Sequence, residues 1–295
     1  MIAVNGAMKM AKVTVPDILS KKDRGEKITQ VTAYDYPSAL MVEEAGLDMI
    51  LVGDSVGMVV LGYESPIPVT VDDIIHHTRP VVRGAETPLI VGDLPFMAYH
   101  VSVEDTIRNA GRIIKEGGAD AVKLEGGREV ADKVKALVDV GIPVQAHIGL
   151  MPQRASILGG FRIQGAKAEA ALGIIEDAVA LEDAGAFSIV LEFITVEVAE
   201  AITETLSVPT IGIGSGLHCD GQVLVLHDLL GVYENVPPFA RQYANLREVA
   251  LRALKGYGED VRIGAFPEGK HTVHMDTEER QRLAVLLKAR KLAMK

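Results

Sequence analysis

Several things are scarce in this chain, and each scarcity removes a class of function. There is one cysteine, Cys219, so neither an intrachain disulfide framework nor a thiolate cluster can form. A reducing compartment, the cytoplasm, is the expectation. Tryptophan is absent and aromatics make up 4% of residues, which argues against a base-stacking surface. Positive charge is in deficit: 30 Lys and Arg stand against 40 Asp and Glu, a formal charge of −10. Such a surface is ill suited to neutralising phosphates, and no nucleic-acid partner is expected. No apolar run nears the roughly 20 residues that span a bilayer, so no membrane association is expected. The stretch from Met1 to Lys12 lacks the sustained apolar core of a signal peptide. No Pro- or Ser-rich linker marks off two domains.

What is present is a globular composition, 48% hydrophobic and 24% charged, over 295 residues, enough for two domains or one large barrel. Short, near-continuous hydrophobic runs recur: Ile28 to Ala33, Met49 to Val52, Leu89 to Gly92, Ala121 to Leu124, Pro143 to Ala146, Ser188 to Leu191 and Thr210 to Ile213. A weaker eighth spans Val223 to Leu226. Runs of this kind are strands covered on both faces. Helical patterns lie between them, at Ser38 to Ala45, Val103 to Glu116, Glu129 to Val138, Ala168 to Ala184 and Val196 to Leu206. The alternation predicts an α/β fold, a (β/α)₈ TIM barrel, with a doubly wound open sheet as the competitor.

Both ends read as helical additions. Thr14 followed by Val15-Pro16-Asp17 marks an N-terminal helix start and is expected to close the bottom of the barrel. Asp276 to Lys295 is a charged helical pattern. The expected organisation is a helical extension over 1–27, a catalytic barrel over 28–270 and a helical tail over 271–295.

In such a barrel the chemistry sits at the carboxyl ends of the strands. Five consecutive strands end in ionisable groups: Asp54 with Ser55, Asp93, Glu125, His147 and Glu192. Taken singly, Asp54 or Asp93 is as readily a helix cap as a ligand. Taken together, four carboxylates on one rim repel one another unless a cation joins them, and a hard divalent ion such as Mg²⁺ is the economical answer. Lys123 precedes Glu125 by two residues, so strand alternation puts both on the lumen face, as an ion pair or as an ammonium for a substrate carboxylate or enolate oxygen. His147 is either a hydrogen-bonded core histidine or a supporting residue. Glu192 closes a strongly apolar strand, where desolvation would suit it to act as a general base. His76 and His77 read as packing or surface residues. The glycines of Ile211-Gly212-Ile213-Gly214-Ser215-Gly216 are either an anion-binding loop or a tight turn that permits close packing; Gly212 and Gly214 are its candidates.

Longer motifs carry a family resemblance. Val31-Thr32-Ala33-Tyr34-Asp35-Tyr36, Leu51-Val52-Gly53-Asp54-Ser55-Val56-Gly57-Met58, Asp93-Leu94-Pro95-Phe96-Met97 and Val122-Lys123-Leu124-Glu125-Gly126-Gly127 stand in one order. They are followed by His147-Ile148-Gly149-Leu150 with Pro152-Gln153, the glycine loop with Asp220-Gly221-Gln222, and His227-Asp228. Over roughly Val15 to His274 the chain resembles the ketopantoate hydroxymethyltransferase family. The resemblance implies a barrel of the phosphoenolpyruvate/pyruvate superfamily. It also implies transfer of a one-carbon unit from 5,10-methylenetetrahydrofolate to the branched 2-oxo acid 3-methyl-2-oxobutanoate, giving 2-dehydropantoate for pantothenate and coenzyme A synthesis. It assigns Mg²⁺ to Asp54 and Asp93 with support from Glu125, keto acid contacts to Ser55 and Lys123, and the base to Glu192. It implies a homo-oligomer, a decamer of two pentameric rings. Met151 stands where many members have Thr, and the tail beyond Phe266 to His271 is longer than in shorter members. Two other readings compete: a Mg²⁺-dependent carbon–carbon lyase of the same superfamily, which would want a cysteine in a mobile loop, and a non-catalytic ligand-binding barrel.

Overall fold

Eight parallel strands pair in chain order and close on themselves: β1 (Ile28–Thr32), β2 (Met49–Val52), β3 (Leu89–Asp93), β4 (Ala121–Glu125), β5 (Val144–Gly149), β6 (Ser188–Glu192), β7 (Thr210–Ile213) and β8 (Gly221–Leu224). The computed structural model describes residues 11–154 and 162–293. The first ten residues of the expected N-terminal extension and the last two of the expected tail lie outside the described residues. The closing pair is β1 with β8, Gln30 opposite Val223.

The doubly hydrophobic strands are explained by two separate cores. One face packs on the surrounding helices: α2 (Tyr36–Ala45), α4 (Val71–Gly84), α5 (Val103–Arg112), α6 (Ala131–Asp139), α7 (Ala168–Asp183) and α8 (Val196–Thr205). α3 (Val56–Val59) and α9 (Leu226–Leu230) are single-turn helices directly after β2 and β8. The other face fills the lumen with Ile28, Met49, Leu51, Leu89, Val91, Val190, Ile211 and Val223. Ile18 of α1 (Val15–Asp23) joins this inner cluster with 0% exposure, so the N-terminal helix closes the barrel at the strands' amino ends, as its sequence predicts. Asp17 accepts from the Thr14 N–H and hydroxyl at 2.9 and 2.5 Å, which caps that helix.

Strand positions match the sequence reading to within two residues at every end but one: β5 continues to Gly149, three residues past Ala146, and β8 is shifted by two at both ends, running from Gly221 to Leu224, not from Val223 to Leu226. Leu226 begins α9 instead. The reason is Gly221, a poor strand former whose missing side chain the closure needs: a Cβ there would lie 2.5 Å from the Ile28 carbonyl oxygen.

Compact packing divides the chain at Ala244, so the expected boundary at 270 falls inside the second unit. That unit, from Asn245, contains α10 (Leu246–Ile263) and α11 (Thr277–Ala293). Asn245 caps α10 by accepting from the Glu248 N–H at 3.1 Å, and no residue of α10 is buried. Among the described residues no helix is long and apolar enough to cross a membrane.

Candidate active site

Strand register brings the polar rim together. Asp93 sits opposite Lys123, Glu125 opposite His147, and Gly149 opposite Glu192. The period of two that aligns Lys123 with Glu125 holds, and both point into the mouth of the barrel beside Asp93. Lys123 Nζ lies 2.9 Å from Asp93 Oδ1, 4.0 Å from Glu125 Oε1 and 3.5 Å from His147 Nδ1. Asp54, just past β2, donates its main-chain N–H to Asp93 Oδ2 at 3.1 Å. His147 Nε2 is 3.0 Å from the Leu150 carbonyl oxygen and 3.3 Å from Glu192 Oε2. With its proton on Nε2, His147 donates toward those oxygens while Nδ1 accepts from Lys123. Ser55, at the head of α3, shares a 2.8 Å hydrogen bond with the Tyr34 hydroxyl. Every residue singled out on the rim, Asp54, Ser55, Asp93, Lys123, Glu125, His147 and Glu192, lines one cavity of about 620 Å³.

These groups are buried: Asp93 and Glu125 are 1% exposed, His147 3%, Lys123 4% and Asp54 5%. Burial drives Asp93 up to about 7, against the pull of Lys123 and with a push from neighbouring Asp54. Glu125 is driven well above the carboxylate range, first by burial and then by Asp54, Asp93 and Glu192, again against Lys123. Burial alone would lower Lys123, but the facing carboxylates outweigh it and hold the ammonium charged. Four carboxylates thus share a single ammonium.

The donor set suits a hard cation. Among the described residues Asp93 Oδ1 and Glu125 Oε1 are buried with no hydrogen-bond partner, each having only ionic contact with Lys123 or His147. Among the described residues no three acidic, His or Cys side chains form a closed metal cage. An ion here would therefore draw on one or two carboxylates and complete its shell with water and ligand oxygens, which is the habit of Mg²⁺.

Sequence reasoning gave no role to Gln153, in a 3₁₀ turn after β5 (Pro152–Arg154), and the structure makes it a brace. Its Nε2 donates to Asp54 Oδ2 at 2.8 Å and to the Leu94 carbonyl oxygen at 3.1 Å; its main-chain N–H donates to Glu125 Oε2 at 3.3 Å. The Tyr99 hydroxyl donates to Gln153 Oε1 at 2.8 Å, which fixes the amide orientation. The sole hint in sequence was the Pro152-Gln153 motif.

The glycine loop settles on packing. Gly212 and Gly214 do not line the cavity. A Cβ on Gly212 would meet Cys219 Sγ at 2.9 Å, and one on Gly214, at φ +66°, would meet the Phe239 ring at 2.9 Å. Ser215, the next residue of the loop, is spent on the fold, donating to the Leu191 carbonyl oxygen at 2.7 Å and accepting from the Ile194 N–H at 3.1 Å. Cys219 is buried and absent from the cavity wall. His77 Nδ1 is 2.7 Å from the Tyr34 carbonyl oxygen, a packing role.

The mouth is covered by the segment from Tyr233 to Phe239, whose Tyr233 hydroxyl donates to the Val59 carbonyl oxygen at 2.6 Å. Phe193, directly after Glu192, takes a positive φ of 50° and packs on Phe239 with ring centroids 5.5 Å apart. An aromatic residue rarely adopts this backbone conformation, and here it turns the chain sharply at the end of β6.

Comparison with known proteins agrees with this geometry. A sequence model of the family described as ketopantoate hydroxymethyltransferase matches residues 12–269. The 3-methyl-2-oxobutanoate hydroxymethyltransferase of Staphylothermus marinus is 58% identical over 262 residues, covering 89% of this chain and 96% of that protein. The protein of the same name from Moorella thermoacetica is 56% identical over 263 residues, covering 89% and 98%. The crystal structure of 2,3-dimethylmalate lyase, a member of the PEP mutase/isocitrate lyase superfamily, superposes with a TM-score of 0.56 at 15% identity over 97% of this chain and 99% of that one, a likeness of fold.

Proposed function

The chain belongs to the ketopantoate hydroxymethyltransferase family, and from that premise we propose that it converts 3-methyl-2-oxobutanoate and 5,10-methylenetetrahydrofolate into 2-dehydropantoate, a step toward pantothenate and coenzyme A. The observation that carries the proposal is the pair of buried oxygens on Asp93 and Glu125 that, among the described residues, accept no hydrogen bond, beside Lys123 and in the same cavity as Glu192.

In this reading Asp54 and Asp93 hold Mg²⁺, with Glu125 in support through Gln153. The ion, when bound, supplies a Lewis acid for the ketone and carboxylate oxygens of the substrate. Lys123 is a fixed positive charge at the floor of the mouth, able to hold an anionic oxygen of the keto acid without reorganising. Ser55, held by Tyr34, offers a hydroxyl to the same substrate. Water adds to the methylene carbon of the opened folate iminium, and the C–N bond then breaks with its electron pair and a proton going to nitrogen, so tetrahydrofolate leaves formaldehyde in the site. Glu192, across from Lys123, removes the C3 proton, and the resulting enolate carbon attacks that carbonyl carbon, whose oxygen takes up a proton as the new hydroxyl. His147 lies between Lys123 and Glu192 and orients both, its Nδ1 facing the ammonium and its Nε2 the carboxylate. The apolar wall of Val190, Phe193, Val236 and Phe239 excludes water from the enolate.

A lyase that relies on a catalytic thiol finds none on the cavity wall, since Cys219 lies elsewhere and buried. A passive binding barrel has no use for Glu192 beside the His147 and Lys123 pair. We place the enzyme in the cytoplasm, where a lone thiol stays reduced, and as a homo-oligomer, the family's decamer. In support, α10 leaves Leu254 65% and Ile263 67% exposed. The test is direct: protein, both substrates and Mg²⁺ are expected to yield 2-dehydropantoate by mass spectrometry, and no product would contradict the proposal.

A further inference from the structure

The cavity is larger than its acidic floor requires. A five-carbon keto acid held at Asp54, Asp93 and Lys123 leaves most of the 620 Å³ unfilled. The remaining space extends toward the β8 side of the mouth, across the barrel from β4, and its walls there are Val225, Tyr233 and Pro237. Into this apolar part faces the carboxylate of Asp228, on the first turn of α9. Asp228 is 9% exposed, and among the described residues its carboxylate has no hydrogen-bond or ion-pair partner. Burial with no compensating cation pushes its carboxyl above the usual range.

A buried carboxylate left without donors is costly unless a ligand supplies them. The ligand must bring paired N–H groups on a flat apolar body, because the walls are apolar and an anion would be repelled. We infer that Asp228 recognises the folate co-substrate by accepting hydrogen bonds on its two oxygens from the 2-amino and N3–H groups of the pterin ring. The planar edge of a 2-amino-4-oxopyrimidine presents two parallel donors to a carboxylate, as a guanidinium does. The ring then lies against Tyr233 and Pro237 and reaches back toward the enolate carbon. This inference rests on the proposed function and adds to it the residue that selects the one-carbon carrier. Asp228 acts on the co-substrate's ring and takes no part in the proton transfer.

The test is calorimetric titration of tetrahydrofolate, and of its analogue lacking the 2-amino group, into the Mg²⁺-loaded protein with 3-methyl-2-oxobutanoate present. The wild type is expected to bind tetrahydrofolate at least about tenfold more tightly than the analogue. Asp228→Asn, which turns a donor toward the pterin donors, is expected to weaken tetrahydrofolate by a similar factor and to erase the preference. A merely structural role would weaken both ligands alike and keep their ratio. Equal binding of the two pterins by the wild type, or an intact preference in Asp228→Asn, overturns the assignment. The wild-type comparison needs no folded variant. Wild-type protein that makes 2-dehydropantoate yet binds both pterins equally refutes Asp228 alone, whereas absence of product refutes the function on which it rests.

Discussion

Gln153 donates its side-chain amide to Asp54 Oδ2 at 2.8 Å, joining two residues that are 99 positions apart in the chain. Because the same residue's main-chain N–H reaches Glu125 Oε2, one turn braces two carboxylates of the site. Groups that orient a metal ligand are typically worth 10–100-fold in metal affinity. Gln153→Leu is therefore expected to weaken Mg²⁺ binding by about tenfold or more in isothermal titration. Unchanged affinity would show that Asp54 holds its position without the brace.

Lys123 stabilises a buried excess of negative charge, so its removal strands Asp93. Breaking a buried pair by deleting one partner typically costs about 3–5 kcal/mol. Lys123→Met is expected to lose stability of that order in urea unfolding at pH 8 with chelator present. A loss below about 1 kcal/mol would mean that water enters the mouth and screens Asp93.

A pH dependence follows from His227, whose ring lies near Tyr34 and Tyr233 with Nδ1 buried and without a hydrogen-bond partner among the described residues. Burial holds its pKa below the ordinary value of 6.5. The unfolded chain thus binds this proton at a higher pH than the folded one, so stability rises with pH between the depressed folded value and 6.5 and levels off above it. Comparing urea midpoints between pH 5 and 7 for wild type and His227→Phe checks this: the variant's profile is expected to be flatter in that window. Parallel profiles would show that His227 titrates normally in the fold.

The parts of the architecture that the amino-acid pattern revealed are those with short-range causes. Seven strands stood out because both faces are largely buried, so their hydrophobic runs are near-continuous; β8 was displaced by two residues because Gly221 serves close packing and not strand propensity. The shared face of Lys123 and Glu125 follows from strand alternation alone. Gln153 was opaque because its function comes from partners at Asp54 and Leu94, which lie close only in the closed barrel. The bonds from His147 to Lys123 and Glu192 needed the register of three strands. The glycine loop was ambiguous in sequence because anion binding and close packing ask for the same residue; Cys219 and Phe239, far along the chain, decided it.

The central claim is that Glu192 takes the C3 proton of a keto acid held at Asp54, Asp93 and Lys123. The measurement is exchange of that proton with deuterium, followed by NMR on 3-methyl-2-oxobutanoate with Mg²⁺, for wild type and Glu192→Gln, with and without tetrahydrofolate. The account predicts exchange by the wild type and, since a positioned base contributes about 10²–10⁴-fold, a loss of at least a hundredfold in the variant. Exchange by Glu192→Gln at the wild-type rate would contradict it, as would a wild type that exchanges nothing under either condition.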